Sequence, residues 1–147
     1  RIILADALTY VKRFKPKLVV DVATLTGSAW VALGYRASAL FTTDDSLAHA
    51  FEHLAEESGD YLWRMPLWDE YASEVKGTFG DIQNTGKYKV GGSITAAHFL
   101  KVFADGYPWV HIDMAPTMET IDDMFLSRGA SGATVRLLVH LLRTSAK

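Results

Sequence analysis

The sequence predicts an α/β protein, with a mixed, mostly parallel sheet carrying helices on both faces. Three observations point there. Short β-branched apolar runs, of which Leu18-Val19-Val20-Asp21-Val22-Ala23 is the clearest, read as strands buried on both sides. Longer stretches carry apolar residues at three- and four-residue spacing, the mark of amphipathic helices. The two kinds of segment alternate along the chain, which is the order that builds a covered sheet. A length of 147 residues suits one domain with a sizeable core, and no repeat, low-complexity tract or linker divides it.

Taken in order, residues 2–14 place Ile3, Leu4, Ala7, Leu8 and Val11 on one helical face, and Pro16 ends that helix. The run at 18–23 is a strand. Thr26-Gly27-Ser28 breaks it, and a helix begins over Ala29 to Leu33. Ala37 to Thr42 reads as a second strand. Asp44 or Asp45 caps a helix that runs to Ser58 and stops at Gly59. Tyr61 to Leu67 is apolar and aromatic with Pro66 inside it, so it reads as an edge strand or extended loop. A short helix over Asp69 to Lys76 precedes an extended stretch from Phe79 to Asn84. The glycines of Gly86 to Gly92 mark a flexible loop. Ser93 to Ala104 is a helix with Ser93 as its cap, Trp109 to Met114 a strand, and Gly132 to Arg143 a last helix. That helix faces inward through Val135, Leu138, Val139 and Leu142.

Bulk properties exclude several classes. A formal charge of -2 gives no electrostatic attraction to nucleic acid or an acidic membrane surface. No apolar run approaches the roughly 20 residues of a membrane span. Asp6 and Lys12 interrupt the opening apolar stretch, so it does not read as a signal peptide. With no cysteine there is neither a disulfide framework nor a thiolate site, which accords with a cytoplasmic location.

Three blocks carry a family resemblance. Arg1-Ile2-Ile3-Leu4-Ala5-Asp6-Ala7-Leu8 resembles the end of an N-T-D-A-E-G-R signature and the helix after it. Asp21-Val22-Ala23-Thr24-Leu25-Thr26-Gly27 resembles an A-T-L-T-G strand-to-loop segment. Trp109 with His111-Ile112-Asp113-Met114-Ala115 resembles a W-x-H-x-D-x-A block. Trp63-Arg64-Met65-Pro66-Leu67 and Thr95-Ala96-Ala97-His98-Phe99-Leu100 fit between them in the same order. Together they are similar to the C-terminal part of the catalytic domain of the leucyl aminopeptidase (cytosol aminopeptidase) family.

The resemblance implies release of N-terminal amino acids, with a leucine-type preference, from peptides by a pair of divalent ions, zinc or manganese, in a homohexamer. It implies that Arg1 holds a bicarbonate ion acting as proton shuttle. It also implies that Thr24, Leu25 and Gly27 line the substrate, with the Leu25 carbonyl and Gly27 amide on the peptide backbone, and that Ala115 and Met118 form the apolar side-chain pocket. Only the final Arg of the signature is present, and the chain opens on Arg rather than Met. The expectation is therefore a piece whose N-terminal domain and metal-ligand segment are absent, with no metal ligands of its own and no activity alone. Two departures bear on the site. Pro116 stands where the family has Gly, and Gly129-Ala130-Ser131-Gly132-Ala133-Thr134 replaces a G-x-x-G-R-P turn.

Other constellations read as structural. Asp21 inside an apolar strand reads as a hydrogen-bonded acid. His111 and Asp113 share a strand face but lack a third ligand at motif spacing. His49 and His53 share a helix face without the Glu of H-E-x-x-H, so they read as solvated. Ser131 lacks the spacing of a nucleophile elbow, and Gly91 and Gly92 lack that of a phosphate loop. The aromatics Tyr61, Trp63, Trp68 and Tyr71 suit core or subunit-interface packing better than base stacking. Two further readings stand beside the aminopeptidase: a non-catalytic assembly or binding module, and an unrelated hydrolase built on Asp81, Asp113 and Glu119.

Overall fold

The computed structural model describes residues 1–122 and 126–145. Helix α1 (Ile2–Val11) continues as a 3-10 turn over Lys12–Phe14 and ends at Lys15, which takes a left-handed conformation just before Pro16. Strand β1 (Val19–Ala23) follows, then α2 (Gly27–Leu33), whose N-terminus is capped by the Thr26 hydroxyl accepting from the Ala29 amide. Strand β2 (Ser38–Phe41) leads into α3 (Asp45–Ser58). Asp44 caps that helix by accepting from the Ser46 and Leu47 amides, and Gly59 at φ 73° ends it. Strand β3 (Leu62–Arg64), a 3-10 turn over Asp69–Val75, α4 (Gly92–Lys101), β4 (Trp109–Asp113), a 3-10 turn over Ala115–Thr117 and α5 (Val135–Ser145) complete the order.

The strands form one sheet in the order β1-β4-β2-β3. Strands β1 and β4 are parallel, as are β2 and β3, while β2 and β4 run antiparallel. The sheet is thus mixed and mostly parallel, as the sequence predicts. Alternation along the strands sends two residue sets to opposite faces. Val19, Ala39, Phe41 and Trp109 pack with Ala5 and Leu8 of α1, Ala29 of α2, and Ala97 and Leu100 of α4. Val20, Leu40, Val110 and Ile112 pack with Phe51 and Ala55 of α3 and Leu137 of α5. Helices therefore cover both faces, and burial of these aliphatic and aromatic groups is the main term holding the layers together.

Five local expectations differ from the structure in whole or in part. In α1 the buried residues are Ala5 and Leu8, with Leu4 packed against them, whereas Ile3 is 85% exposed and Ala7 is open. Ser93 lies inside α4 rather than capping it; Gly91, at φ 59°, holds the cap position. In α5 the wholly buried residue is Leu137, flanked by Leu138 and Leu141, while Val135, Val139 and Leu142 face out. Of the two packings expected for the aromatic stretch, core or subunit interface, the core one does not hold for Tyr61, Trp63 and Trp68, which are half exposed or more, and the buried residues there are Leu62 and Leu67. Phe79 to Asn84 contributes only an isolated bridge between Ile82 and Lys76.

Candidate active site

Strands β1 and β4 lie in register, Ala23 opposite Asp113, and both end at the same edge of the sheet. The segments leaving them, 24–27 and 114–118, therefore emerge side by side, where open α/β sheets bind ligands. The Met114 amide donates to the Ala23 carbonyl at 2.9 Å and carries the ladder one step past the strands.

Asp113 joins these segments. Its carboxylate is wholly buried. Oδ1 accepts from the amides of Leu25 (3.0 Å), Thr26 (3.3 Å) and Ala115 (3.3 Å). Oδ2 accepts from the Thr26 hydroxyl at 2.6 Å and lies 3.5 Å from the Ser93 hydroxyl at the start of α4. A buried carboxylate is costly unless donors satisfy its lone pairs, and here three amides and a hydroxyl do so. The same hydroxyl accepts from the Ala29 amide at 3.1 Å, so Thr26 relays the anchor into the first turn of α2.

The predicted substrate residues sit around this anchor. Thr24 and Gly27 are exposed, Leu25 is half-buried and Thr26 buried. Gly27 opens α2, and the first amides of a helix have no acceptor within it. A Cβ added at Gly27 would meet open space, whereas one at Gly92 would fall 2.5 Å from the Ser28 hydroxyl; α4 and α2 start that close together. Ala115 is buried at the anchor, and Met118, 41% exposed, follows the 3-10 turn that Pro116 helps to start. Thr134, in the departed turn, has φ 68°, a value closed to the proline of the family pattern.

Arg1 stands at the N-terminus of α1, half-buried, and its Nη1 donates to the Asn84 carbonyl. Burial holds the guanidinium below its ordinary value, and nearby Asp113 opposes that shift. A planar group with five donors at a helix N-terminus fits a small carboxylate-like anion.

Deeper in the sheet, Asp21 accepts from Trp109 Nε1 (2.6 Å) and pairs with His111 Nδ1 (2.6 Å). The His111 ring stacks against Phe41 and Trp109. Asp21 is thus the hydrogen-bonded acid the sequence predicts. His49 and His53 are exposed, and the Ser131 hydroxyl donates to the Thr117 carbonyl. Among the described residues, no three His, Asp or Glu side chains form a group that could hold a metal ion. Asp113 is saturated with donors, His111 is sealed in the core, and Asp81 and Glu119 lie exposed. These residues do not fit a dinuclear centre, and the hydrolase built on Asp81, Asp113 and Glu119 has no assembled site. Among the described residues no helix is long and apolar enough to cross a membrane.

The sequence alone points to no function for Thr26 and offers Asp113 only as a metal ligand or hydrolase carboxylate. The one signal was the Asp of the W-x-H-x-D-x-A block.

The model of the cytosol aminopeptidase family, catalytic domain, matches residues 1–139. Similar proteins include the probable cytosol aminopeptidase of Chromohalobacter salexigens, 49% identical over 97% of this chain and 27% of the relative. That of Albidiferax ferrireducens is 48% identical over 100% of this chain and 30% of the relative. That of Syntrophotalea carbinolica is 48% identical over 97% and 29%. The chain spans about 30% of the length of these curated relatives or less. With the catalytic-domain match running over nearly all its residues, and the matching segments gathered at the ends of β1 and β4, the chain belongs to the cytosol aminopeptidase family.

Proposed function

We propose that this chain forms the substrate-binding side of a metal-dependent aminopeptidase that releases N-terminal residues, leucine among them, from peptides. The observation that carries this reading is the joint anchoring of the 24–27 and 115–118 segments on Asp113, which gathers the proposed substrate residues at one sheet edge. In a trans peptide the N–H and C=O point in opposite directions. The Thr26 amide points at the buried carboxylate, so the Leu25 carbonyl points away from it, where it accepts from the substrate backbone. The Gly27 amide, free of an intrahelical acceptor, donates to that backbone. Ala115 forms the pocket wall and Met118 an adaptable apolar lining for the released residue's side chain.

Arg1 holds bicarbonate, which when bound supplies proton shuttling. The divalent ions, zinc or manganese, belong to residues outside 1–147, as do the N-terminal domain and the signature's carboxylates. This chain alone is then inactive. The exposed Tyr61, Trp63 and Trp68 suit subunit contacts in a cytoplasmic homohexamer.

The test is hydrolysis of leucyl p-nitroanilide by the intact protein with added Zn²⁺ or Mn²⁺. Turnover that chelator abolishes, and none by residues 1–147 alone, is the expected result. Turnover by 1–147 alone overturns the reading, and an inactive intact protein favours a non-catalytic assembly module.

A further inference from the structure

We propose that Asp113 and Thr26 are positioning residues for peptide binding: through the Thr26 hydroxyl and the Leu25 and Thr26 amides, the buried carboxylate fixes how the Leu25 carbonyl and Gly27 amide meet the substrate backbone. This rests on the functional reading above and deepens it.

The geometry separates this role from plain structural capping. A helix N-cap needs only to accept from an amide in the first turn, and the Thr26 hydroxyl does so with Ala29 at 3.1 Å. That bond leaves the hydroxyl hydrogen unused, and it goes to Asp113 Oδ2 at 2.6 Å, the shortest bond on this carboxylate. Oδ1 meanwhile takes two consecutive amides, Leu25 and Thr26. Fixing two successive N–H vectors fixes two successive peptide planes, and with them the carbonyls of Thr24 and Leu25. The third Oδ1 donor, the Ala115 amide, ties the pocket wall to the same carboxylate. Backbone contacts and side-chain pocket thus take their relative position from one buried group. Neither Thr26 nor Asp113 reaches the surface, so both act through these neighbours and not on the peptide itself.

The test measures KM and kcat for leucyl p-nitroanilide in the intact protein, with Thr26→Val, Thr26→Ala and Thr26→Ser compared by steady-state kinetics and melting temperature. Val and Ala lose the hydroxyl and Ser keeps it. The expected result is KM raised about tenfold or more in Val and Ala, kcat within about threefold, and near-normal constants in Ser. That pattern marks lost ground-state binding, which a cap that only stabilises α2 does not produce. Unchanged KM in Val and Ala, whatever happens to their melting temperatures, overturns the positioning role. So does a fall in kcat at constant KM. If Val does not fold, Ala decides alone. Absence of turnover by the unsubstituted intact protein instead overturns the functional reading, and this inference with it.

Discussion

Replacing Asp113 tests the anchor through stability, independently of catalysis. Truncation to alanine removes the acceptor of five donors: the Leu25, Thr26 and Ala115 amides and the Thr26 and Ser93 hydroxyls. Counting only the two shorter bonds, at 3.0 Å and 2.6 Å, two buried donors lose their partners. Each such loss costs about 1–3 kcal/mol, so the sum is about 2–6 kcal/mol. Water entering the vacated space recovers part of that, which puts the expected loss near 3 kcal/mol. Asp113→Asn keeps one oxygen for the amides and loses mainly the acceptor of the Thr26 hydroxyl, at about 1–2 kcal/mol. Domains of this kind have only about 5–15 kcal/mol to lose. Urea unfolding of the two variants beside the parent protein, with a common m-value, reads both losses from the midpoints. A loss below about 1 kcal/mol for alanine, or equal losses for alanine and asparagine, would refute the view that this carboxylate holds the two segments together.

The inward face of α5 predicts that Leu137→Ala costs about 2–5 kcal/mol, while Val139→Ala and Leu142→Ala stay within about 0.5 kcal/mol, as thermal unfolding would record. His98 is buried, and burial pushes its imidazolium below the ordinary value of 6.5. The unfolded chain therefore binds the extra proton first. The His98 contribution is fully present above about pH 6.5 and is lost as pH falls through the lowered folded value. Melting temperature should thus drop between pH 7 and 5, and His98→Leu should flatten that drop; an unchanged slope counts against it. Asp44, Glu57 and Asp69 are lowered by hydrogen bonds from Ser46, His140 and Lys101 respectively, so their contributions fade only in the more acidic carboxylate range. A Cβ at Gly77 would lie 2.0 Å from the Gly80 backbone oxygen, while one at Gly80 meets nothing closer than 4.0 Å. Gly77→Ala should therefore lower the melting temperature clearly more than Gly80→Ala.

Local patterns made much of the fold legible. The β-branched run at 18–23 and the apolar run from Trp109 give β1 and β4 almost to the residue, and Asp44 with Gly59 marks both ends of α3. The inward face of α5 was not legible, because Val135-Leu138-Val139-Leu142 and Leu137-Leu138-Leu141 are both apolar stripes at helical spacing. A distant residue decides between them: Asp60 accepts from the Leu137 amide and pairs with Arg136, turning Leu137 inward. Exposure of Trp63 likewise follows from the place of β3 at the edge of the sheet, not from its own apolar character. At the site, the family resemblance pointed to Thr24, Leu25, Gly27, Ala115 and Met118. It could not show that Asp113 ties them together, because the anchored amides of Leu25 and Thr26 lie 88 and 87 residues away in the chain.

Metal stoichiometry tests the proposed division of labour most directly. Residues 1–147 and a protein extended upstream of Arg1 would each be dialysed against Zn²⁺ or Mn²⁺ and their metal content determined by elemental analysis. The expected result is no stoichiometric metal on residues 1–147 and two ions per chain on the extended protein. Stoichiometric metal on residues 1–147 alone would contradict it, and would mean that Asp81, His111 or Asp113 ligates a metal after all.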